Sequence, residues 1–175
     1  MIGAETAVDP AVRVWLDKNE LTELVARLSS AVDRQDREAI EACYAEQSYD
    51  DHGAFGGSGR EFAEYITTQQ PGQGARPAMH HLLGQSIFEV EGDEAWGETF
   101  FVFHSHTDTA LYPAIGRYID YFARIDGEWR LVYRRVLAEW LGAHDVARSS
   151  NVANYVRAAW DRTDPKYDRL RWPTD

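Results

Sequence analysis

The chain has 175 residues, 44% of them hydrophobic and 13% aromatic, which suits one compact domain with a sizeable core and gives no reason to posit a second. With 29 acidic against 18 basic residues the formal net charge is −11, and such a surface repels phosphate backbones and anionic lipid, so nucleic acid and membrane are poor partners. No apolar run is long enough to cross a bilayer, MIGAETAVDPAVRVWLDKNE is not a secretory signal, and the single Cys43 excludes an internal disulfide or a multi-cysteine zinc site, so a cytoplasmic enzyme or binding protein is expected.

The first helix is predicted to begin near Asp17, where D-K-N-E supplies an N-cap and a glutamate three residues later. Leu21, Leu24, Val25, Leu28, Ala31 and Val32 recur at helical spacing, giving one apolar stripe to lay on a core. A second short helix follows over roughly 36–45, with Cys43 on its apolar face beside Ile40 and Tyr44, the setting of an inert buried thiol. The glycines of SYDDHGAFGGSG mark a turn, a third helix spans about 60–69, and QPGQGARP is a loop.

From there the pattern changes to strands. HLLGQSIFEVEG alternates weakly into a Gly-Asp turn, and AWGETFFVFHSHT reads as a long aromatic strand. GRYIDYFARI and EWRLVYRRVLAEW flank Asp126-Gly127, the strongest two-residue hairpin signal in the chain. Helices followed by an antiparallel meander indicate an α+β fold, with helices covering one sheet face. SSNVANYVRAAW is read as a last helix, and DRTDPKYDRLRWPTD as a segment lying over the surface or a neighbouring subunit.

Counting outward from the Asp126-Gly127 turn puts Tyr121 opposite Val132 and Ile119 opposite Arg134. Ile119, Tyr121, Ala123, Val132, Arg134 and Val136 would then share one face, and Tyr118, Asp120, Leu131, Tyr133 and Arg135 the other. The more apolar company belongs to Arg134, and a buried arginine needs an anionic partner.

Among residues able to carry chemistry, Asp33 ends the apolar stripe of the first helix, where the macrodipole disfavours a carboxylate and its presence wants a reason. His80 and His81 open a strand, so one faces inward and the other does not. An inward histidine beside a buried carboxylate makes a dyad in which the carboxylate sets the tautomer and the other nitrogen takes a proton. His104 and His106 share a strand face with Phe100 and Val102, but no tight ligand spacing supports a metal site, and none is expected. His52, after Tyr49, Asp50 and Asp51, either caps the turn or enters a pocket. Phe100 or Phe101, Phe103, Tyr121 and Trp140 are placed to line a sheet-floored cavity of the kind that takes small molecules. GAFGGSG lacks the setting and lysine of a phosphate loop.

Taken in order, "AVDRQD", "SYDDHGAFGG", "MHHLLGQSIFEV", "GDEAWGETFF" and "IDGEWRLVYRRV" resemble the SnoaL-like branch of the nuclear transport factor 2-like superfamily over about residues 17–140 of a single domain spanning 1–175. The resemblance implies a curved antiparallel sheet whose helices close a cone-shaped cavity. Its scytalone dehydratase, hexachlorocyclohexane dehydrochlorinase and bile-acid dehydratase members use an Asp-His dyad to remove a proton while a leaving group departs. Matched residue by residue, the dyad is Asp33 with His81, and the dehydrochlorinase arginine is Arg134, five residues after Trp129. His52 stands where scytalone dehydratase has a carbonyl-polarising tyrosine, His104 near its second histidine, and Leu28 where some relatives carry lysine or tyrosine.

The implied activity is that of a cofactor-independent lyase or dehydratase acting on a small apolar, ring-bearing substrate. On this reading His81, Asp33 and Arg134 are expected to be catalytic, and His52, Tyr49, His104, Phe101, Phe103, Tyr121 and Trp140 to bind substrate. The same dyad could serve an isomerase, a hydrolase or a formaldehyde-releasing lyase on lignin-derived diaryl compounds. A structural protein like the dioxygenase small subunit, or a non-catalytic ligand-binding protein, is the contrasting expectation. Relatives commonly form dimers or trimers through the outer sheet face, implying a homodimer or homotrimer here.

Overall fold

Asp9, not Asp17, starts the first helix. α1 runs from Pro10 to Arg34 with Pro10 in its first turn, and the Asp9 side chain accepts the Ala11 N–H at 2.8 Å. The structure, a computed structural model, describes residues 9–68, 78–106, 109–145 and 165–167. α2 (Arg37–Glu41) is capped by Asp36, and α3 (Gly59–Thr68) by a Ser58–Glu61 capping box. The strands are β1 (Tyr44–Asp51), β2 (Gly56–Gly57), β3 (Ala78–Glu91), β4 (Glu94–His106), β5 (Ala110–Ile125), β6 (Glu128–Leu141) and β7 (His144–Asp145). Pro165–Tyr167 form a single 3-10 turn. The expected last helix and the QPGQGARP loop lie outside the described residues, apart from the loop's neighbours. No helix among the described residues is long and apolar enough to cross a membrane.

The architecture is the expected α+β one, a curved sheet in the order β2-β1-β6-β5-β4-β3 with the N-terminal helices against one face. One joint differs from an antiparallel meander: β1 pairs with β6 in parallel. β1 covers sequence read as helix end and turn. It was hidden because its inward residue near the end is Asp50, fully buried, so the usual apolar alternation is missing.

Asp126 and Gly127 both have positive φ, 52° and 84°, as a tight hairpin turn with right-handed strand twist requires. Ile125 pairs with Glu128 as counted, but the register shifts between Tyr121 and Phe122, so Phe122 faces Leu131 and Tyr121 faces Tyr133. Val132 is the extra residue of a β-bulge. The faces read from the sequence are corrected accordingly: Tyr118, Asp120 and Phe122 go inward with Leu131 and Arg134, while Ile119 and Tyr121 go outward.

The core lies between the α1 stripe (Leu21, Leu24, Val25, Leu28) and Phe62, Phe88, Phe122, Trp129 and Leu131. Each such side chain contributes about 1.5–3 kcal/mol by leaving water. Cys43 is buried, and desolvation pushes its thiol pKa up, the reverse of an activated nucleophile. Asp17, predicted as a cap, is instead 3% exposed and holds α1 to the hairpin. Its Oδ1 accepts from Arg13, Arg124 and the Trp129 indole at 3.3 Å, and the Arg124 guanidinium lies 4.3 Å from the Trp129 ring centroid.

Burial opposes the Asp17 charge, but those hydrogen bonds outweigh it and hold the carboxyl below its ordinary value. A depressed folded-state pKa gives stability that is present at neutral pH and lost as pH falls through it. Asp17→Asn is therefore expected to cost about 3 kcal/mol at pH 7 and to flatten the loss of stability below about pH 4, measured by urea denaturation across that range.

Candidate active site

α1 ends against the free edge of β3, and there Asp33 meets His81. The His81 backbone N–H donates to Asp33 Oδ2 at 3.0 Å, and its ring Nδ1 lies 2.5 Å from Oδ1. Among the described residues β3 is the last strand of the sheet, so this backbone N–H has no ladder partner there and bonds the carboxylate instead. The carboxylate only accepts, which places the ring proton on Nδ1 and leaves Nε2 as the acceptor. The His81 side chain is 9% exposed, with its ring 4.6 Å from that of Phe103, 6.3 Å from Phe101 and 6.4 Å from Tyr118. His80 faces outward, as alternation along β3 demands.

Tyr118 is the centre of this wall. Phe101 stacks on it at 4.4 Å, and Phe101 fits because Gly116 has no side chain: a Cβ there would come within 2.2 Å of the Leu137 carbonyl and 2.9 Å of the Phe101 ring. On its other flank the Arg134 guanidinium carbon lies 3.9 Å from the Tyr118 ring centroid. Arg134 is buried, and its Nε and Nη2 donate to the two Asp120 oxygens at 2.8 and 2.7 Å. Burial works against the Arg134 charge, but Asp120 outweighs it and raises the pKa, so the guanidinium is permanently charged. Burial pushes the Asp120 and Tyr118 pKa values up.

A second carboxylate completes the row. Asp50, in parallel register with Arg134, has no exposed surface. It accepts the Tyr44 hydroxyl at 2.5 Å and bonds His52 Nδ1. Burial, then Asp50, lifts the Tyr44 pKa well above its usual value, so this hydroxyl keeps its proton. His52 stacks on Phe62 at 4.6 Å and lies 6.5 Å from Tyr118.

Of the residues singled out in the sequence, Asp33, His81, Arg134, His52, Phe101 and Phe103 converge on this interior face. Four do not. Tyr49 stacks on Tyr133 at 6.0 Å, Tyr121 stacks on Trp96 and donates to Glu94 at 2.5 Å, His104 is exposed on the face opposite Phe103, and Trp140 is 47% exposed beside His144. Tyr121 was misplaced by the Val132 bulge, and Trp140 follows a second register shift between Ile115 and Gly116. Tyr44, Asp50, Tyr118 and Asp120 belong to the site and were not singled out. A bulge read at Val132 would have found Tyr118 and Asp120, whereas nothing in the pattern marked β1. A separate cleft of about 940 Å3, between α1, α2 and the β5–β6 turn, contains neither histidine. The chemistry-bearing side chains are elsewhere, and the site is placed on them.

Comparison with known proteins bears on this arrangement. A family model described as a SnoaL-like domain matches residues 13–135. An uncharacterized protein of Mycobacterium tuberculosis is 25% identical over 122 residues, 67% of this chain and 82% of its own. Among solved structures, a function unknown protein of Mycobacterium tuberculosis is 26% identical, with TM-score 0.65 over 76% of this chain and 78% of its own. A hexachlorocyclohexane dehydrochlorinase is similar at TM-score 0.70 and 11% identity, covering 82% of this chain and 99% of that one. A protein assigned as a scytalone dehydratase from Novosphingobium aromaticivorans is similar at TM-score 0.64 and 16% identity, covering 79% and 95%. At those identities the last two likenesses are likenesses of fold.

Removing Arg134 would leave Asp120 buried without a counter-charge. Arg134→Leu is expected to cost about 3–5 kcal/mol in denaturant unfolding, and the double variant Arg134→Leu/Asp120→Leu to recover much of it. A single-variant cost below about 1 kcal/mol would show that the pair does not support the site.

Proposed function

The chain belongs to the SnoaL-like domain family, and we propose that within it this protein is a cytoplasmic, cofactor-independent lyase that eliminates a leaving group from a small apolar, ring-bearing substrate. The observation that carries the reading is the contact of Asp33 with His81 through both the backbone N–H and the ring Nδ1. Nε2 of His81 takes a proton from carbon, and Asp33 holds the Nδ1 proton and balances the imidazolium that forms. The electrons of the broken C–H bond form the new double bond as the leaving group departs with its own pair. Phe101, Phe103 and Tyr118 supply an apolar wall around the His81 ring against which a substrate ring lies. Arg134 acts here as a fixed positive charge beneath Tyr118 and not by direct contact with the leaving group, because Asp120 holds it at two points.

The similarity of fold to a dehydrochlorinase and to a scytalone dehydratase-type protein supports the reaction class. Self-association into a homodimer or homotrimer is part of the same reading. It is supported by apolar side chains on the outer sheet face, among them Leu82, Ile87, Ile115 and Trp140, which are 65%, 59%, 44% and 47% exposed.

The test is turnover of hexachlorocyclohexane and of cyclic 3-hydroxy and 3-chloro ketones, followed by mass spectrometry for lost hydrogen chloride or water. Wild-type protein is expected to turn over at least one of these probes. His81→Ala is expected to lower kcat by about 100- to 10,000-fold, and Asp33→Asn by about 100-fold, with ligand affinity nearly unchanged. Equal turnover by wild type and His81→Ala would remove the proposal.

A further inference from the structure

The interior carries a second carboxylate–imidazole pair that the elimination chemistry above does not use. Asp50, Arg134 and Asp120 are register partners across β1, β6 and β5, so they form one transverse row on the inner face. All three are buried, at 0%, 3% and 2% exposure. The row is minus, plus, minus, and the plus is bound at two points to Asp120. Asp50 bonds a tyrosine hydroxyl, which brings no charge, and the His52 ring. With both carboxylates ionised, a proton on His52 would bring this buried row to neutrality.

The turn does not need the imidazole. The His52 backbone N–H donates to the Phe55 carbonyl at 2.9 Å, the Ala54 N–H donates to the His52 carbonyl at 2.8 Å, and Asp51 accepts from Gly53 at 3.3 Å. The ring instead turns inward and lies on Phe62 and Tyr118. Its side chain keeps 27% exposure while Asp50 keeps none, so the pair opens to its surroundings through the ring alone. Both imidazoles of the interior rest against the same Tyr118 ring, His81 at 6.4 Å and His52 at 6.5 Å. Among the described residues, the charged and titratable groups facing His52 are Asp50 and Tyr44 of β1, Tyr118 and Asp120 of β5, and Arg134 of β6.

We infer that Asp50–His52 is a second proton-carrying dyad serving the same ligand as Asp33–His81, with His52 as the acid that protonates a departing oxygen. The inference rests on the elimination reading of His81. His52 begins doubly protonated, its Nδ1–H held by Asp50. His81 Nε2 takes the proton from carbon, and the C–H pair becomes the second bond of the alkene. The C–O pair leaves with the oxygen, the Nε2 proton of His52 joins it, and water departs. His81 then returns its proton to solvent and His52 takes one up. An oxygen leaving group, which is poor without a proton, is thereby favoured over halide as the natural substrate class.

The test compares two cyclic ketones on the full chain, one with a 3-hydroxyl and one with a 3-(4-nitrophenoxy) group that leaves without help. His52→Gln is expected to lower kcat on the hydroxy probe about 100-fold and to affect the nitrophenoxy probe far less. His81→Gln is expected to lower both. Equal losses on the two probes, or no loss on either, would overturn the acid role of His52. Unchanged rates for His81→Gln would instead overturn the elimination reading. A second measurement needs no turnover: nitrogen-15 NMR of the histidine rings during titration with 4-nitrophenol, a mimic of the departing oxygen. The His52 Nε2 resonance is expected to move in the wild type, with a hydrogen-bonded Nδ1 proton that is lost in Asp50→Asn. A His52 ring that responds neither to millimolar 4-nitrophenol nor to Asp50→Asn also overturns the inference.

Discussion

Buried charge at the junction of β1, β6 and β5 is the constraint around which the interior is organised. A guanidinium out of water needs its charge matched and its donors satisfied, and Asp120 does both through a fork of two bonds near 2.8 Å. That fork forms because Val132 bulges out of β6, which lets Leu131 and Arg134 face the same side. In an unbroken ladder Arg134 would oppose Ile119 on the outer face. One extra residue therefore decides whether the centre of the sheet is charged or apolar.

From this pair the aromatic wall follows. Arg134 lies under Tyr118, Tyr118 carries Phe101, and the absence of a side chain at Gly116 leaves Phe101 its place. The two histidines settle on the resulting surface from opposite elements, His81 from the edge strand β3 and His52 from the end of β1. Each is held through Nδ1 by a carboxylate, which leaves Nε2 as the ring nitrogen for proton transfer in the proposed chemistry. Dispersion and stacking fix the rings, while the charges beneath fix which way the protons face.

Much of this frame can be read from sequence, and the failures share a cause. Periodicity located α1, the four long strands and the Asp126-Gly127 turn because these elements bury ordinary apolar residues at regular spacing. Family register together with strand alternation points to Asp33, His81 and Arg134, and the fold brings the first two into contact. The polar centre broke the same logic. β1 turns Asp50 inward where the pattern asks for an aliphatic side chain, so it does not read as a strand at all. The bulge, invisible to counting by twos, moved Tyr121 outward and Asp120 inward. Asp17 has the residue type of a cap, yet its oxygen serves Arg13, Arg124 and Trp129 inside the fold.

The position of Asp33 shows how fold and chemistry share one contact. A carboxylate in the last turn of a helix faces the negative end of the macrodipole, an arrangement that costs a few tenths of a kcal/mol or more unless a donor offsets it. Here the donors come from β3, one from the backbone and one from the ring of the same residue. The backbone bond closes the exposed edge of the sheet with the end of α1, and the ring bond sets the His81 tautomer. Because a single carboxylate makes both, displacing Asp33 would loosen the seam between helix and sheet and release the imidazole together. The carboxylate that orients the base is thus anchored by the fold itself, through the bond that closes the sheet edge.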